Sequence, residues 1–178
     1  AVWGLGQLAR MGNVDAKKQL VQTLTHSIVE VRANAARTCG DGKISEARDT
    51  LLAGLKDVSP RVVSLSAVAL GRISPVGNEK TVNSLIEIAE KNHGVSFDIT
   101  LRHAILSALH RITTPAQALS WSKHASPEVR LLGVIVLRKM EHPRISDFLN
   151  DSDTLVKHEA IRALYDTNAV DEPAGTHL

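Results

Sequence analysis

The chain has 178 residues, 43% of them apolar and only 3% aromatic, with a net charge of +2 and one cysteine. That length buries a real core and fits one domain over 1–178, and the apolar share excludes a disordered chain. The lone Cys39 excludes an internal disulfide, a cysteine-based zinc site and a C-x-x-C-H haem attachment, while so small a net charge names no partner.

With few aromatics the core must be Leu, Val, Ile and Ala. That mix favours closely packed helices, because Ala has the best helix propensity and permits near approach. No apolar run reaches the roughly 20 residues that cross a bilayer. No membrane insertion is expected of this segment, and no signal peptide is visible in it.

Taken in chain order, AVWGLGQLAR (1–10) opens already inside an apolar helical pattern, which reads as the tail of a helix in a piece of something longer. A helix follows at KKQLVQTL (17–24), and a second starts after Ser27 around Val31-Arg32. EARDTLLAGL (46–55) precedes a helix entered through Ser59-Pro60 around Val62-Val63. KTVNSLIEIAEK (80–91) precedes the helix around Leu101-Arg102. AQALSWSKH (116–124) precedes SPEVRLLGVIVLRKM (126–140), and RISDFL (144–149) precedes a helix entered at Asp153 around Val156-Lys157. Ser and Asp at such entrances can accept a bond from an orphan N–H of the first turn, and Pro is tolerated at the first helical position. Gly40, Gly71 and the His142-Pro143 break are expected to mark the ends of the second helices.

The second helices repeat one frame. Eight residues after the anchors Val31, Val62, Leu101, Val129 and Val156 stand Cys39, Leu70, Leu109, Leu137 and Leu164. Four after them stand Ala35, Ser66, Ile105, Gly133 and Ala160, all small or aliphatic. Leu5 fits the Leu137 place in a sixth, partial copy. Anchor spacings of 31, 39, 28 and 27 residues mean stacked helical hairpins. The expected fold is therefore all-α, a HEAT-type (armadillo-like) α-α superhelix of about five to six hairpins, each with helix A, a turn and helix B. Its parts are a partial repeat over 1–11, repeats over 14–41, 44–74, 78–113, 115–140 and 142–167, and a tail over 168–178. The longest spacing comes from EKNHGVSFDITLRHA (90–104), an insertion that becomes a longer turn or a binding loop.

The chemistry-bearing residues fall into no catalytic pattern. His103 and His110 share a helix face, but seven residues separate them by about 10 Å, too far to hold one ion. Gly4-x-Gly6 has no strand before it and no third glycine, so it is no nucleotide loop and instead suits close helix approach. Glu87 and Glu90 suit a solvated face, and no G-x-S-x-G setting occurs. No catalytic residue, metal or cofactor is expected in this segment.

Charge is unevenly placed. Twelve Lys and Arg lie on or beside the B helices against six acids. If the B helices line a concave surface, that surface attracts an acidic protein or a nucleic acid. The alternative is structural use: Arg32, Arg102 and Arg130 bridging to carboxylates of neighbouring turns, and Arg10, Arg72, Arg111 and Lys139 complementing helix C-termini. The candidate groove-lining or partner-binding residues are Arg32, Arg102, His103, His110, Arg130 and Arg138. Trp3 and Trp121 are each core or surface ridge, and aromatics interleaved for base stacking are missing.

AVWGLGQLAR (1–10), LRHAILSALHRI (101–112), SPEVRLLGVIVLRKM (126–140) and FLNDSDTLVKHEAIRALYD (148–166) together resemble the HEAT region of one family. These are large bacterial extracytoplasmic proteins that join a sugar-dehydrogenase-like β-propeller, a HEAT segment and a C-terminal c-type cytochrome domain, known as membrane-bound dehydrogenases or haem-binding C-x-x-C-H proteins. The segment has neither propeller nor haem motif, so the resemblance assigns no chemistry to its residues. It implies a piece that spaces or docks an oxidoreductase and its electron carrier, in the periplasm or otherwise outside the cytoplasm.

The expected function is thus a non-catalytic scaffold that binds protein through its groove. The alternatives are a nucleic-acid-binding HEAT-like protein of DNA glycosylase type and a tetrapyrrole (bilin) lyase-like HEAT protein. The uncapped apolar start is further expected to give weak self-association or to meet a missing neighbour.

Overall fold

The structure, a computed structural model, describes the backbone of residues 2–92 and 98–169 and the side chains as far as residue 166. Ten α-helices and three short 3₁₀ segments make up these residues, with no strand among them. The fold is all-α and of the HEAT type, as its repeat predicts. The middle of the 90–104 insertion, including His93, lies outside the described residues, as do Ala1 and the tail from residue 170.

By their contacts the helices form two compact units, residues 1–113 and 114–178. In the first unit, α1 (Val2–Arg10) is a B-type helix. The hairpins that follow are α2 (Val14–Thr23) with α3 (Val29–Asp41), α4 (Arg48–Gly54) with α5 (Pro60–Ile73), and α6 (Glu79–Lys91) with α7 (Ile99–Ile112). Each B helix packs on the next: α1 on α3, α3 on α5, α5 on α7. In the second unit, α8 (Pro115–Ser120) and a 3₁₀ turn lead to α9 (Pro127–Lys139), and the 3₁₀ segment Pro143–Phe148 leads to α10 (Thr154–Ala169), which packs on α9.

The two kinds of helix bury different amounts of surface, and the sequence shows why. Helix α6 buries Val82, Leu85, Ile86 and Ala89, a single stripe at helical spacing on an otherwise polar helix. Helix α5 is sandwiched, with Val62, Val63, Ser66, Ala67, Ala69 and Leu70 buried on several sides. Frame positions carry these contacts: Ala35, Ile105 and Ala160 are fully buried, as are Cys39, Leu70, Leu109 and Leu137. Polar caps start α2, α6 and α8. Asn13 accepts from the Ala16 N–H at 2.9 Å, Asn78 from the Thr81 N–H at 3.0 Å, and Thr114 with Gln117 closes a capping box.

Several end signals act differently from expectation. Gly40 and Gly71 do not end helices; both lie inside α3 and α5, where B helices come closest. A Cβ on Gly40 would sit 2.8 Å from the Ala69 Cα, one on Gly71 2.5 Å from the Ala108 Cα, and one on Gly6 would collide with the Thr38 methyl. Helix α3 instead stops where Lys43 turns left-handed (φ 51°), and α9 where Glu141 does (φ 53°). In both, the two N–H groups past the end return to carbonyls of the last turn: Lys43 and Ile44 to Gly40 and Cys39, Glu141 and His142 to Arg138 and Leu137. Ser27 is not a cap at all, since Ile28 precedes α3. Ser59 and Ser126 hold the cap position with Pro following, but their side chains make no capping bond. Asp153 does cap, accepting from the Leu155 and Val156 N–H groups at 2.9 and 3.1 Å.

Candidate functional site

Before four of the B helices the chain makes the same turn, built on the residue five before the anchor. His26 and His124 accept the N–H two residues on through Nδ1, at 3.1 and 3.2 Å. Asp57 and Asp151 do so through Oδ1, at 2.9 and 2.8 Å. The arginine after the anchor then locks two such turns together. Arg32 donates from Nε and Nη2 to Asp57 at 2.7 and 2.9 Å, and from Nη1 to the carbonyls of His26 and Ser27 at 2.8 and 3.0 Å. Arg130 repeats this with Asp151, His124 and Ala125 at the same four distances. Such bidentate, charge-assisted pairs are the strong class of hydrogen bond.

The electrostatics follow from that geometry. The hydrogen bond from Arg32 holds the Asp57 carboxyl below the ordinary carboxylate range. Burial pushes the Asp151 carboxyl up, but Arg130, the Asp153 N–H and the nearby Lys157 together bring it below that range. Both arginines are held more firmly charged by their aspartates.

Many remaining basic side chains also find acids within the fold. Arg61 reaches Glu30 at 3.0 Å and Lys80 reaches Asp49 at 2.8 Å, each pair 31 residues apart, as are Arg72 and Asp41, which are also bonded. Arg138 bridges α9 to Glu159 at 2.8 Å and to Asp166 of α10, and Arg162 lies 3.5 Å from Glu159. Part of the B-helix charge excess counted from the sequence is therefore met by carboxylates of neighbouring repeats, Asp41, Asp57 and Asp151 among them. Exposed pairs of this kind add about 0–1 kcal/mol each and set register more than stability.

On the B-helix side of the first unit lie two adjoining clefts. One, of about 650 Å³, is lined by Val2, Trp3 and Arg10 of α1 and by Glu30, Val31, Asn34, Arg37, Thr38 and Asp41 of α3. The other, of about 540 Å³, is lined by Asn34 and Arg37 of α3, by Ser59 to Arg61, Ser64 and Leu65 at the start of α5, and by Asp98 and Thr100 at the start of α7. Asn34 and Arg37 border both, so the two form one groove across four helices. A smaller apolar hollow of about 340 Å³ lies on the A-helix side between Val14, Lys17, Val21 and Glu46.

A comparison with family models matches residues 17–110 to HEAT repeats. That span is more than half of the chain. The chain belongs to the HEAT-repeat family. Among solved structures it is similar to the crystal structure of an engineered protein from the Northeast Structural Genomics Consortium, with a TM-score of 0.55 and 18% identity over 94% of this chain and 89% of that one. At that identity the likeness concerns the fold alone. No curated protein matches the chain.

Within this HEAT framework the residues singled out from the sequence take varied places. Arg130 is buried at 8% exposure, and Arg32 is partly buried; both spend their guanidinium groups on the turns. Arg138 is partly exposed and bound to two acids of α10. Arg102 and His110 are half-buried on α7, and His103 on the same helix is exposed. None of these six lines either cleft of the groove. The groove residues Asn34, Arg37, Arg61 and Ser64 stand at other places of the frame. No group of three or more His, Cys, Asp or Glu able to hold a metal ion occurs among the described residues. Cys39 is fully buried, and burial pushes its thiol up to about 12, far from a nucleophile's range. Trp121 is core, at 7% exposure, and Trp3 is ridge, at 74%.

Proposed function

We propose that this HEAT-repeat chain is a non-catalytic scaffold that binds a partner protein along the B-helix groove of its first unit. The observation that carries the reading is the groove itself, which joins an exposed tryptophan, the Asn34 side chain and the cationic side chains of Arg10, Arg37 and Arg61 across four helices. A groove of that length suits an extended polypeptide better than a small molecule, which prefers an enclosed, mostly apolar pocket.

Selection of peptides from a random displayed library against the full chain tests it. Selected peptides are expected to bind at micromolar concentration and to lose at least about tenfold in affinity against Arg37→Glu, as loss and reversal of a charge-assisted contact implies. Failure to select any peptide, or peptides indifferent to Arg37→Glu, overturns the reading, as does turnover of any substrate by the chain.

The resemblance seen in the sequence supports a finer version. In it the scaffold belongs to a larger oxidoreductase of cytochrome type outside the cytoplasm and holds a catalytic domain near its electron carrier. Sequencing the gene on both sides of this segment tests that version: a β-propeller before it or a C-x-x-C-H motif after it supports the version, and neither overturns it. The nucleic-acid reading rests on basic charge, part of which is met internally. Retention on a DNA column that falls steeply with salt from about 50 mM would revive it.

A further inference from the structure

The groove has a chemically uneven floor, and its two clefts ask for different groups. The α1–α3 cleft offers Val2, Val31 and the exposed Trp3 ring, surfaces for an apolar side chain. The α3–α5 cleft is the more cationic. Arg37 reaches it from α3 with only a loose 3.6 Å pairing to Asp41, and Arg61 reaches it from the first turn of α5 with its Nη1 bonded to Glu30 at 3.0 Å. The carboxylate on its rim, Asp98, is held by the Thr100 and Leu101 N–H groups of α7. Beneath them Ser64 is 6% exposed, and its hydroxyl makes no hydrogen bond among the described residues although it borders the cleft. Its oxygen is not among the enclosed unpaired atoms, so it opens to the cleft, where a ligand acceptor can take its hydrogen bond in place of water. The cleft also faces the start of the fourteen-residue helix α5, whose Ser59 makes no side-chain cap and whose positive end favours an anion.

Resting on the groove reading above, we infer that the occupant is an extended peptide segment carrying an apolar side chain and an acidic side chain three residues apart. The apolar residue sits against Trp3, and the carboxylate meets Arg37, Arg61 and the Ser64 hydroxyl. The spacing follows from the helices. Neighbouring packed helices lie about 8–10 Å apart, so the two clefts are offset by that distance, and an extended chain advances about 3.3 Å per residue. Three residues cover the offset. They also place both side chains on opposite faces of a regular strand, so the segment twists by one bridge residue, which a Gly or Ser between the two supplies.

The test uses the full chain and four capped, fluorescein-labelled octapeptides: Leu and Asp three apart, the same with Asn for Asp, the same with Ala for Leu, and Leu next to Asp. Fluorescence anisotropy is expected to show binding of the first at micromolar concentration, with each of the others weaker by about tenfold or more. Affinity for the first peptide is expected to fall several-fold with Ser64→Ala and to vanish with Arg37→Glu, both variants keeping the helical circular dichroism and melting temperature of the parent. Raising salt is expected to weaken the Asp peptide and leave the Asn peptide unchanged. Equal binding of the Asp and Asn peptides, or no change with Ser64→Ala, overturns the inference. Displacement of the first peptide by inorganic phosphate at millimolar concentration, with the Leu contact dispensable, reduces the cleft to a simple anion site and overturns it as well. If all four peptides fail while library-selected peptides still bind through Arg37, the inference alone falls. If those fail too, the proposed function falls with it.

Discussion

Arg130 and Asp151 illustrate how a charge becomes part of a core. Their side chains are 10% and 4% exposed, and every oxygen and nitrogen that faces inward has a partner. Removing one half leaves the other buried and unpaired, so Asp151→Ala is expected to cost about 3–5 kcal/mol, read as the shift of the urea midpoint. The same pairing sets an acid limit. Asp57 and Asp151 titrate below the ordinary value of about 3.9 in the folded chain, so the unfolded chain binds more protons in acid. Their contribution is complete above the unfolded value and is lost as pH falls through the lowered folded values. Denaturant midpoints taken from pH 6 down to pH 2.5 are expected to fall only below about pH 4, and Asp151→Ala to flatten that fall. At this scale the sequence was half legible. The structural alternative for Arg32 and Arg130 was open to view, but their partners stand 25 and 21 residues away, and nothing local marks Asp57 or Asp151 among other acids. The groove residues were hidden for the opposite reason. Recurrence drew attention to the anchors, and residues that recur are the ones the fold needs, whereas Ser64 and Asn34 face a cleft because they are not part of the frame.

Each hairpin's identity, order and approximate length could be read from apolar periodicity, since α6 and α5 bury different fractions of their surface. The ends could not, because a glycine that closes a helix and a glycine that admits a neighbour look alike until the neighbour is known. Gly6, Gly40 and Gly71 hold one place, nine residues after the anchor or its equivalent, and meet Thr38, Ala69 and Ala108, each seven after the next anchor. The next B helix carries His110 there, and α7 is the last helix of its unit. Gly71→Ala is expected to lose about 1–3 kcal/mol, because its Cβ meets backbone that cannot yield without moving both helices. Gly4→Ala, with nothing within 4 Å of its Cβ, is expected to be neutral or to gain up to about 1 kcal/mol from helix propensity. Thermal melts of the two side by side separate contact from propensity. Glu141→Gly is expected to stabilise by up to about 1 kcal/mol in the same assay, as it relieves a left-handed residue that has a Cβ.

For the molecule as a whole, repeat chains are stabilised by nearest-neighbour interfaces, so strain in one interface is felt first by the helices beside it. The single cysteine makes this measurable. Cys39 is fully buried in α3 of the first unit, and its thiol is pushed up to about 12 by burial. Labelling by a disulfide reagent at pH 8 is expected to be slow in the native chain and limited by opening of that unit. Gly71→Ala, one interface away, is expected to speed it. A rate unchanged by Gly71→Ala would mean that strain at the α5–α7 contact is not passed on to α3.

The placement of the two tryptophans has a practical consequence. One ring stands in water at the edge of the groove, and the other is enclosed in the second unit, so the chain carries two optical reporters of different colour. Iodide should quench the red-shifted emission of Trp3 and spare the blue-shifted emission of Trp121. Anything that settles in the groove should screen the first and leave the second as an internal standard, so that occupancy can be followed by light from the unlabelled protein.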